Sequence, residues 1–317
     1  MITRIAVLGG TGFVGQAVCE QLVQRCGGGG GRIVVPSRRP AHGLAIASLP
    51  TVEVVRANVH DDADLARVLA GCEAVVNLVA ILHGDEAAFE RVHVQLPQRV
   101  AAACRAAGIR RVVHVSALGV AEDAPSRYLR SKARGERVWR ESGLDVTVLR
   151  PSVIFGAKDR LLNLFASLQS VAPFVPLGGA AATFQPVWVE DVAQAVVRCL
   201  DRADTIGQVI ECAGPQVITL ADLVRLAGRL SGHPRPVIPL PTPLARLQAL
   251  LMEWAPGEPL MSRDNVDSLQ VPNVASGQLP GLDFLGIQAS AVEATAALWL
   301  SDIEGPGRFV PWRARRG

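Results

Sequence analysis

Aromatic side chains make up only 4% of the chain and the formal net charge is only +3. Neither a base-stacking platform nor a strongly phosphate-neutralising face can be built from that, which excludes nucleic acid as the expected partner. No uninterrupted apolar stretch reaches the roughly 20 residues that a helix needs to cross a bilayer, so a transmembrane segment is not expected, while contact with a membrane surface stays open. The six cysteines (Cys19, Cys26, Cys72, Cys104, Cys199 and Cys212) include no C-x-x-C pair, and no histidine lies at metal-ligand spacing from them. They read as small buried apolar residues in a reducing compartment, and no metal site is expected. The first apolar run begins within five residues of Met1, which leaves no room for a signal or transit peptide there and points to a soluble, cytoplasmic protein.

Scarcity also isolates one pair. Tyr128 is the single tyrosine, and Lys132, one of two lysines, follows it by four residues. On a helix those positions share a face, so a phenol and an ammonium converge. An ammonium beside a phenol stabilises phenolate and lowers the tyrosine pKa, which suits a general acid or base for carbonyl and alcohol chemistry.

At the N-terminus, the apolar run Arg4-Ile5-Ala6-Val7-Leu8 leads into Gly9-Gly10-Thr11-Gly12-Phe13-Val14-Gly15. Glycines at 9, 12 and 15 supply, in turn, a tight turn, a backbone open to a pyrophosphate, and close helix-to-strand packing, with the phosphate at a helix N-terminus. The amphipathic segment carrying Val14, Ala17, Val18 and Leu22 provides that helix. Gly9, Thr11, Gly12, Phe13, Val14 and Gly15 are therefore candidate dinucleotide contacts.

Apolar runs and helical periodicities then alternate, as in a parallel, doubly wound α/β sheet of Rossmann type. Strands are predicted at 4–8, 32–36, 52–56, 73–78, 111–116 and 145–150, and helices between them, notably 88–107 and 126–142. Asp61, Asp62 and Asp64 read as a helix N-terminus, and Gly27 to Gly31 as a flexible connector. Residues 1–155 are expected to form the nucleotide-binding domain and 156–317 a smaller, proline-rich mixed lobe, with about 184–212 packing back on the first domain. After the second strand comes Ser37-Arg38-Arg39, where an NAD-selective protein usually places an acid for the ribose diol. Guanidinium matches a 2′-phosphate instead, which favours NADP(H) over NAD(H).

With these pieces placed, the chain resembles the short-chain dehydrogenase/reductase superfamily in its extended or atypical branch. Further segments are similar to the branch that contains the accessory Rossmann subunit of respiratory complex I: Tyr128-Leu129-Arg130-Ser131-Lys132-Ala133 with Gly135-Glu136, Arg150-Pro151-Ser152-Val153-Ile154-Phe155-Gly156, Asp159-Arg160, Asn163, Phe184-Gln185-Pro186-Val187 and Val189-Glu190-Asp191-Val192-Ala193. The resemblance spans residues 1 to about 200. It implies a tightly held NADPH with a structural role, and relatives linked to ubiquinone biosynthesis. It also implies that Tyr128 serves as proton donor or acceptor, that Lys132 holds the nicotinamide ribose, and that a hydroxyl near the end of the fifth strand completes the set. That hydroxyl is Ser116 in one register, whereas in the neighbouring register Ala117 occupies the place and the triad is incomplete. Carried over in the same way, cofactor contacts fall on Asn58 and Val59 after the third strand, on Leu78, Val79 and Ala80 around the end of the fourth, and on Ser116, Pro151 and Val153.

Three functional readings follow. The first is an NADP(H)-binding protein of the complex I accessory-subunit type, with a respiratory-complex or quinone-biosynthesis partner. The second is an active NADP-dependent oxidoreductase or epimerase/dehydratase acting on a small-molecule substrate through Tyr128 and Lys132. The third is an NADP(H)-sensing binding module. Among the histidines, His83 is the favoured functional candidate, because the loop after the fourth strand opens towards the nicotinamide in this fold, and His93 and His114 read as packing. A helix carrying Leu244, Leu247, Leu250, Leu251 and Trp254 is expected to pack inside the second lobe, and the tail from Arg308 to Arg316 to be a solvated end.

Overall fold

The computed structural model describes residues 2–27, 30–254 and 261–301. Gly28 and Gly29 of the glycine run, Pro256, Pro259 and the arginine-rich tail lie outside the described residues. In chain order, β1 (Arg4–Leu8), α1 (Phe13–Arg25), β2 (Arg32–Ser37), α2 (Leu44–Ala47), β3 (Val52–Arg56), α3 (Asp62–Leu69), β4 (Ala74–Asn77), α4 (Glu86–Glu90), α5 (Leu96–Ala106), β5 (Arg111–Val115), α6 (Arg127–Arg140) and β6 (Asp145–Pro151) alternate as expected. They are followed by β7 (Ile154–Phe155), α7 (Leu161–Val171), β8 (Val175–Gly178), β9 (Thr183–Phe184), β10 (Val187–Trp188), α8 (Val189–Asp201), β11 (Val209–Cys212), β12 (Ile218–Thr219), α9 (Leu220–Leu230), β13 (Val237–Leu240), α10 (Thr242–Glu253), α11 (Arg263–Ser268) and α12 (Val292–Leu300).

The chain divides into two compact units. Among the described residues, the first holds those up to Ser152, Val189–Ala213 and Ala275–Gln288; the second holds Val153–Trp188, those between Gly214 and Val274, and those from Ala289 to Ser301. These bounds differ from the expected 1–155 and 156–317, and the stretch 275–288 carries no pattern that assigns it to the first unit.

In the first unit a seven-stranded parallel sheet has the order β11-β6-β5-β4-β1-β2-β3. Its central strands read as continuous apolar runs because both faces are covered. One face, with Ala6, Leu8, Val34, Val75, Val112, Val146 and Val148, packs against Leu65, Val68 and Leu69 of α3, Val100, Ala101 and Cys104 of α5, and the fully buried Trp139 of α6. By the two-residue period of a strand, Ile5, Val7, Ile33 and Val35 face the other way, and α1 packs on α8. The order reverses between β1 and β4, which opens a crevice at their carboxyl ends.

The edge strand β11 is covered from its own unit. Glu211 N donates to Pro280 O at 2.8 Å, and the Glu211 carboxylate accepts from Ser276 N (2.8 Å) and Ser276 Oγ (3.0 Å). Leu282 and Leu285 are buried, and the Arg202 guanidinium lies 4.7 Å over the Phe284 ring.

The expected helix over 88–107 is interrupted. Residues Arg91–Gln95 form a π-helical turn between α4 and α5. Pro97 cannot donate to the His93 carbonyl four residues back, and the backbone of Gly135 on α6 comes so close that a Cβ there would lie 2.1 Å from that oxygen.

In the second unit β7 pairs with β10, β8 with β13 and β9 with β12. Phe155, Leu162, Phe165, Leu220, Leu223, Val224, Val292 and Leu300 form its core. Gln169, fully buried, donates from Nε2 to Phe165 O and Val224 O, and so ties α7 to α9. The segment Phe184-Gln185-Pro186-Val187 runs from the end of β9 into the start of β10.

Helix α10 corrects an expectation. Only Ala245 and Ala249 are buried on it, whereas Leu244, Leu247, Leu251 and Trp254 are half or more exposed. The small residues face the unit because Gly178 runs so close to Ala245 that no larger side chain fits between them.

Candidate functional site

The site is built at the β1/β4 reversal. Gly9 has φ +86°, a region that favours glycine, and a Cβ there would lie 3.2 to 3.3 Å from the Leu78 and Val79 backbone. The turn closes by Gly12 N donating to Gly9 O at 3.0 Å. A Cβ on Gly15 would lie 2.3 Å from Gly9 O, so Gly15 is set by packing. Gly12 differs: its Cβ direction meets only Gly9 O, at 3.2 Å, and as N-cap of α1 it offers no side-chain acceptor to the first turn. The N–H groups that open α1, at Phe13, Val14 and Gly15, form a cradle for an anion.

Beside this cradle lies a cavity of about 480 Å³. Its wall is made by Gly9 and Thr11, by Pro36, Ser37, Arg38, Arg39 and His42 after β2, by Ala57, Val59 and His60 after β3, and by Val79 after β4. None of these residues is acidic. Ser37 Oγ accepts from Arg39 N (3.2 Å) and donates to Arg39 O (2.9 Å), which fixes the loop that carries both arginines. Asn58 does not line the cavity: its Oδ1 accepts from His60 N (3.2 Å), and its own N–H donates to Asp64 (2.7 Å). Asp61 caps α3 by accepting from Asp64 N at 2.9 Å, as the acidic run suggests.

At the other end, α6 starts at Ser126, whose side chain accepts from Leu129 N. The helix buries Ser131, Lys132, Gly135 and Glu136 on one face. Lys132 is 3% exposed, and its Nζ donates to Val115 O at 2.8 Å. Burial pulls its pKa down to about 8, against a smaller opposing pull from the Glu136 carboxylate. Glu136, 1% exposed, is clasped by both arms of Arg150 at 2.9 and 2.6 Å.

The Tyr128 phenol does not follow the expected lowering. Burial pushes its pKa up to about 12; loss of hydration of the phenolate outweighs the field of an ammonium that is turned to the Val115 carbonyl. Ser116 follows β5, with its N donating to Leu149 O at 2.7 Å. Its Oγ is buried and has no hydrogen-bond partner, whereas Ala117 is partly exposed. An orphaned hydroxyl of this kind is suited to a polar group brought by a ligand.

His93 joins the two ends. Its Nε2 accepts from Ile81 N (3.2 Å), so Nδ1 carries the proton and donates to Ser131 Oγ (2.8 Å), which in turn donates to Tyr128 O (2.8 Å). The His93 and Phe89 rings stand edge-on to the Tyr128 ring, at 5.6 and 6.2 Å between centroids. Burial, and secondarily the Lys132 ammonium, holds His93 down to about 3 and His114 well below the usual imidazole range. Asn77, 1% exposed, bonds His114 through Nδ2 and accepts from Val79 N, which pins the loop after β4.

Leu78 donates its N–H to Leu8 O, Ala80 lies just beyond, and Pro151 ends β6. Val153 belongs to the second unit, where its N–H donates to Asn273 Oδ1 at 2.8 Å. His83 is partly buried before α4 and does not line the cavity. Sequence reasoning misses His42 and His60, whose signal is their position just after strand ends, and Asn77, His93 and Ser131, whose roles rest on contacts distant in sequence. Among the described residues no cluster of three or more metal-ligating side chains occurs, and no helix is long and apolar enough to cross a membrane.

Comparison with known proteins agrees with this geometry. Residues 9–203 match the family model described as NAD(P)H-binding. The chain is 31% identical over 296 residues to NADH dehydrogenase (ubiquinone) 1 alpha subcomplex subunit 9, mitochondrial, of Mus musculus, covering 90% of this chain and 77% of that one. The Arabidopsis thaliana protein of the same name is 28% identical over 286 residues, covering 85% and 70%. In fold the chain is similar to an NADPH-dependent quinone oxidoreductase of Escherichia coli complexed with NADPH, with a TM-score of 0.73, 21% identity, and coverage of 93% of this chain and 99% of that one.

Proposed function

The chain belongs to the NAD(P)H-binding family, and from that premise we propose that it is an NADP(H)-binding protein of the complex I accessory-subunit type, serving respiratory-chain or ubiquinone metabolism by holding its nucleotide as a fixed component. The observation that carries the preference for NADP(H) is the cavity after β2 and β3, where Ser37, Arg38, Arg39, His42 and His60 converge with no carboxylate among them. A ribose diol calls for an acid there, and a 2′-phosphate calls for guanidinium.

In this reading the pyrophosphate rests on the turn of Gly9, Thr11 and Gly12 and on the first-turn N–H groups of Phe13, Val14 and Gly15. Lys132 holds the nicotinamide ribose, and the Ser116 hydroxyl gains its missing partner. When bound, the nicotinamide supplies two-electron redox chemistry. Calorimetry with NADPH and NADH tests the reading. Replacing the responsible arginine, in Arg38→Ala or Arg39→Ala, is expected to weaken NADPH by about 1 to 3 kcal/mol and leave NADH nearly unchanged; equal losses for both nucleotides in both variants would remove it.

The unpartnered Ser116 Oγ also favours a second reading, an active NADP-dependent oxidoreductase or epimerase/dehydratase. There Tyr128 moves the proton at the substrate oxygen, Ser116 orients that oxygen, and Lys132 supports the phenol. Oxidation of bound NADPH by a quinone, ketone or nucleotide sugar, lost in Tyr128→Phe, would establish it.

A further inference from the structure

His60 lies four residues past the end of β3 and lines the cavity together with Arg38 and Arg39. Its backbone is held at both ends: its N–H donates to Asn58 Oδ1 at 3.2 Å, and its carbonyl accepts from Arg99 Nη1 at 3.1 Å. We propose, resting on the NADP(H) reading above, that His60 is a specificity-determining residue of this cavity: as an imidazolium it takes the ribose 2′-phosphate together with Arg38 and Arg39, so binding of NADP(H), but not of NAD(H), takes up a proton.

The charges around the ring set the direction. Partial burial, and after it the positive charges of Arg38 from the loop after β2, Arg91 from the π-helical turn and Arg99 from α5, hold its pKa below the ordinary value, so the imidazole rests neutral at pH 7. The nearby carboxylates are committed elsewhere. Asp61 caps α3, and Asp62 is paired to Arg99 at 2.8 Å. A dianion set against Arg38 and Arg39 reverses that field and favours the protonated ring. A ribose without a 2′-phosphate brings no charge and leaves the ring neutral. The phosphate has a second pKa of about 6, so at pH 7 it is mostly dianionic and its own proton release on binding is small.

The measurement is calorimetric titration of the whole chain with NADPH and with NADH at pH 7, in buffers of differing ionisation enthalpy, whose slope counts protons taken up. Wild type is expected to take up about half a proton or more with NADPH and close to none with NADH. His60→Gln should abolish the NADPH uptake, reduce the NADPH-over-NADH preference about 5- to 30-fold, and keep wild-type NADH affinity, which shows that the variant is folded. His42→Gln, altered on the exposed side of the same cavity, should keep the uptake. Uptake unchanged in His60→Gln, or lost in His42→Gln instead, overturns the proposal. A preference for NADPH that survives without any uptake overturns this inference alone, whereas absence of any preference in wild type overturns the reading on which it rests.

Discussion

A buried neutral imidazole makes the folded protein sensitive to acid, and His93 allows the size to be worked out. In the folded state its pKa is about 3, against an ordinary 6.5. Between those values the unfolded chain binds a proton that the folded chain refuses, so stability is full above pH 6.5 and falls as pH drops towards 3. The full difference corresponds to about 5 kcal/mol, of which about 2 kcal/mol is lost by pH 5. His114 contributes with the same sign, since it too is buried and held neutral. The window from pH 6.5 to 5 lies largely above the carboxylates, so imidazoles dominate it. The assay is urea unfolding at both pH values for wild type and for His93→Gln, which cannot titrate. Any fixed cost of the substitution cancels, because only the pH-dependent loss is compared. The variant is expected to lose about 2 kcal/mol less than wild type over this window. Identical losses in the two proteins would refute the argument that His93 is carried neutral in the fold.

Gly12→Val is expected to fold, because only Gly9 O approaches its Cβ direction, but to lose the several-degree rise in melting temperature that NADPH gives wild type near one hundred times Kd; a full rise in the variant would sink the anion cradle. Gly15→Ala is expected to destabilise the protein itself by about 2 kcal/mol or more even without nucleotide, since its Cβ meets backbone, and a melting curve like that of wild type would contradict this. Lys132→Ala is expected to weaken NADPH, while Tyr128→Phe leaves its affinity within about 1 kcal/mol; a comparable loss in Tyr128→Phe would mean that the phenol holds the nucleotide.

The sheet is legible in the sequence because its strands are short apolar runs such as Ile5 to Leu8 and Val112 to Val115, bounded by glycine or by charge. The glycine spacing is legible because it meets a local demand, a tight turn into a helix, within a few residues, and the paired arginines are legible because they follow directly on the second strand. His60 and His93 are not, because a single histidine has no periodicity and its role comes from Arg38, Arg99, Ile81 and Ser131, all distant in sequence. Helix α10 shows a different limit. Its apolar spacing announces a stripe without saying which stripe is inside; the face turned in is the one that carries Ala245, against which Gly178 lies close, and Ala249 one turn on.

The route by which the first unit is assembled has a consequence for synthesis. Its sheet is incomplete when β6 leaves the ribosome, because β11 and the covering segment around Ser276 and Pro280 come later. The roughly 60 residues between β6 and β11 take, at about 5 to 20 residues per second, an interval of about 3 to 12 seconds in which β6 presents an unpaired edge. A fragment ending near residue 155 would carry that open edge permanently, with Arg111 deprived of the Cys199 carbonyl and the Thr205 hydroxyl that it meets in the full chain. The N-terminal half is therefore not a separable module, and the nascent chain carries an open, aggregation-prone edge until β11 has been made.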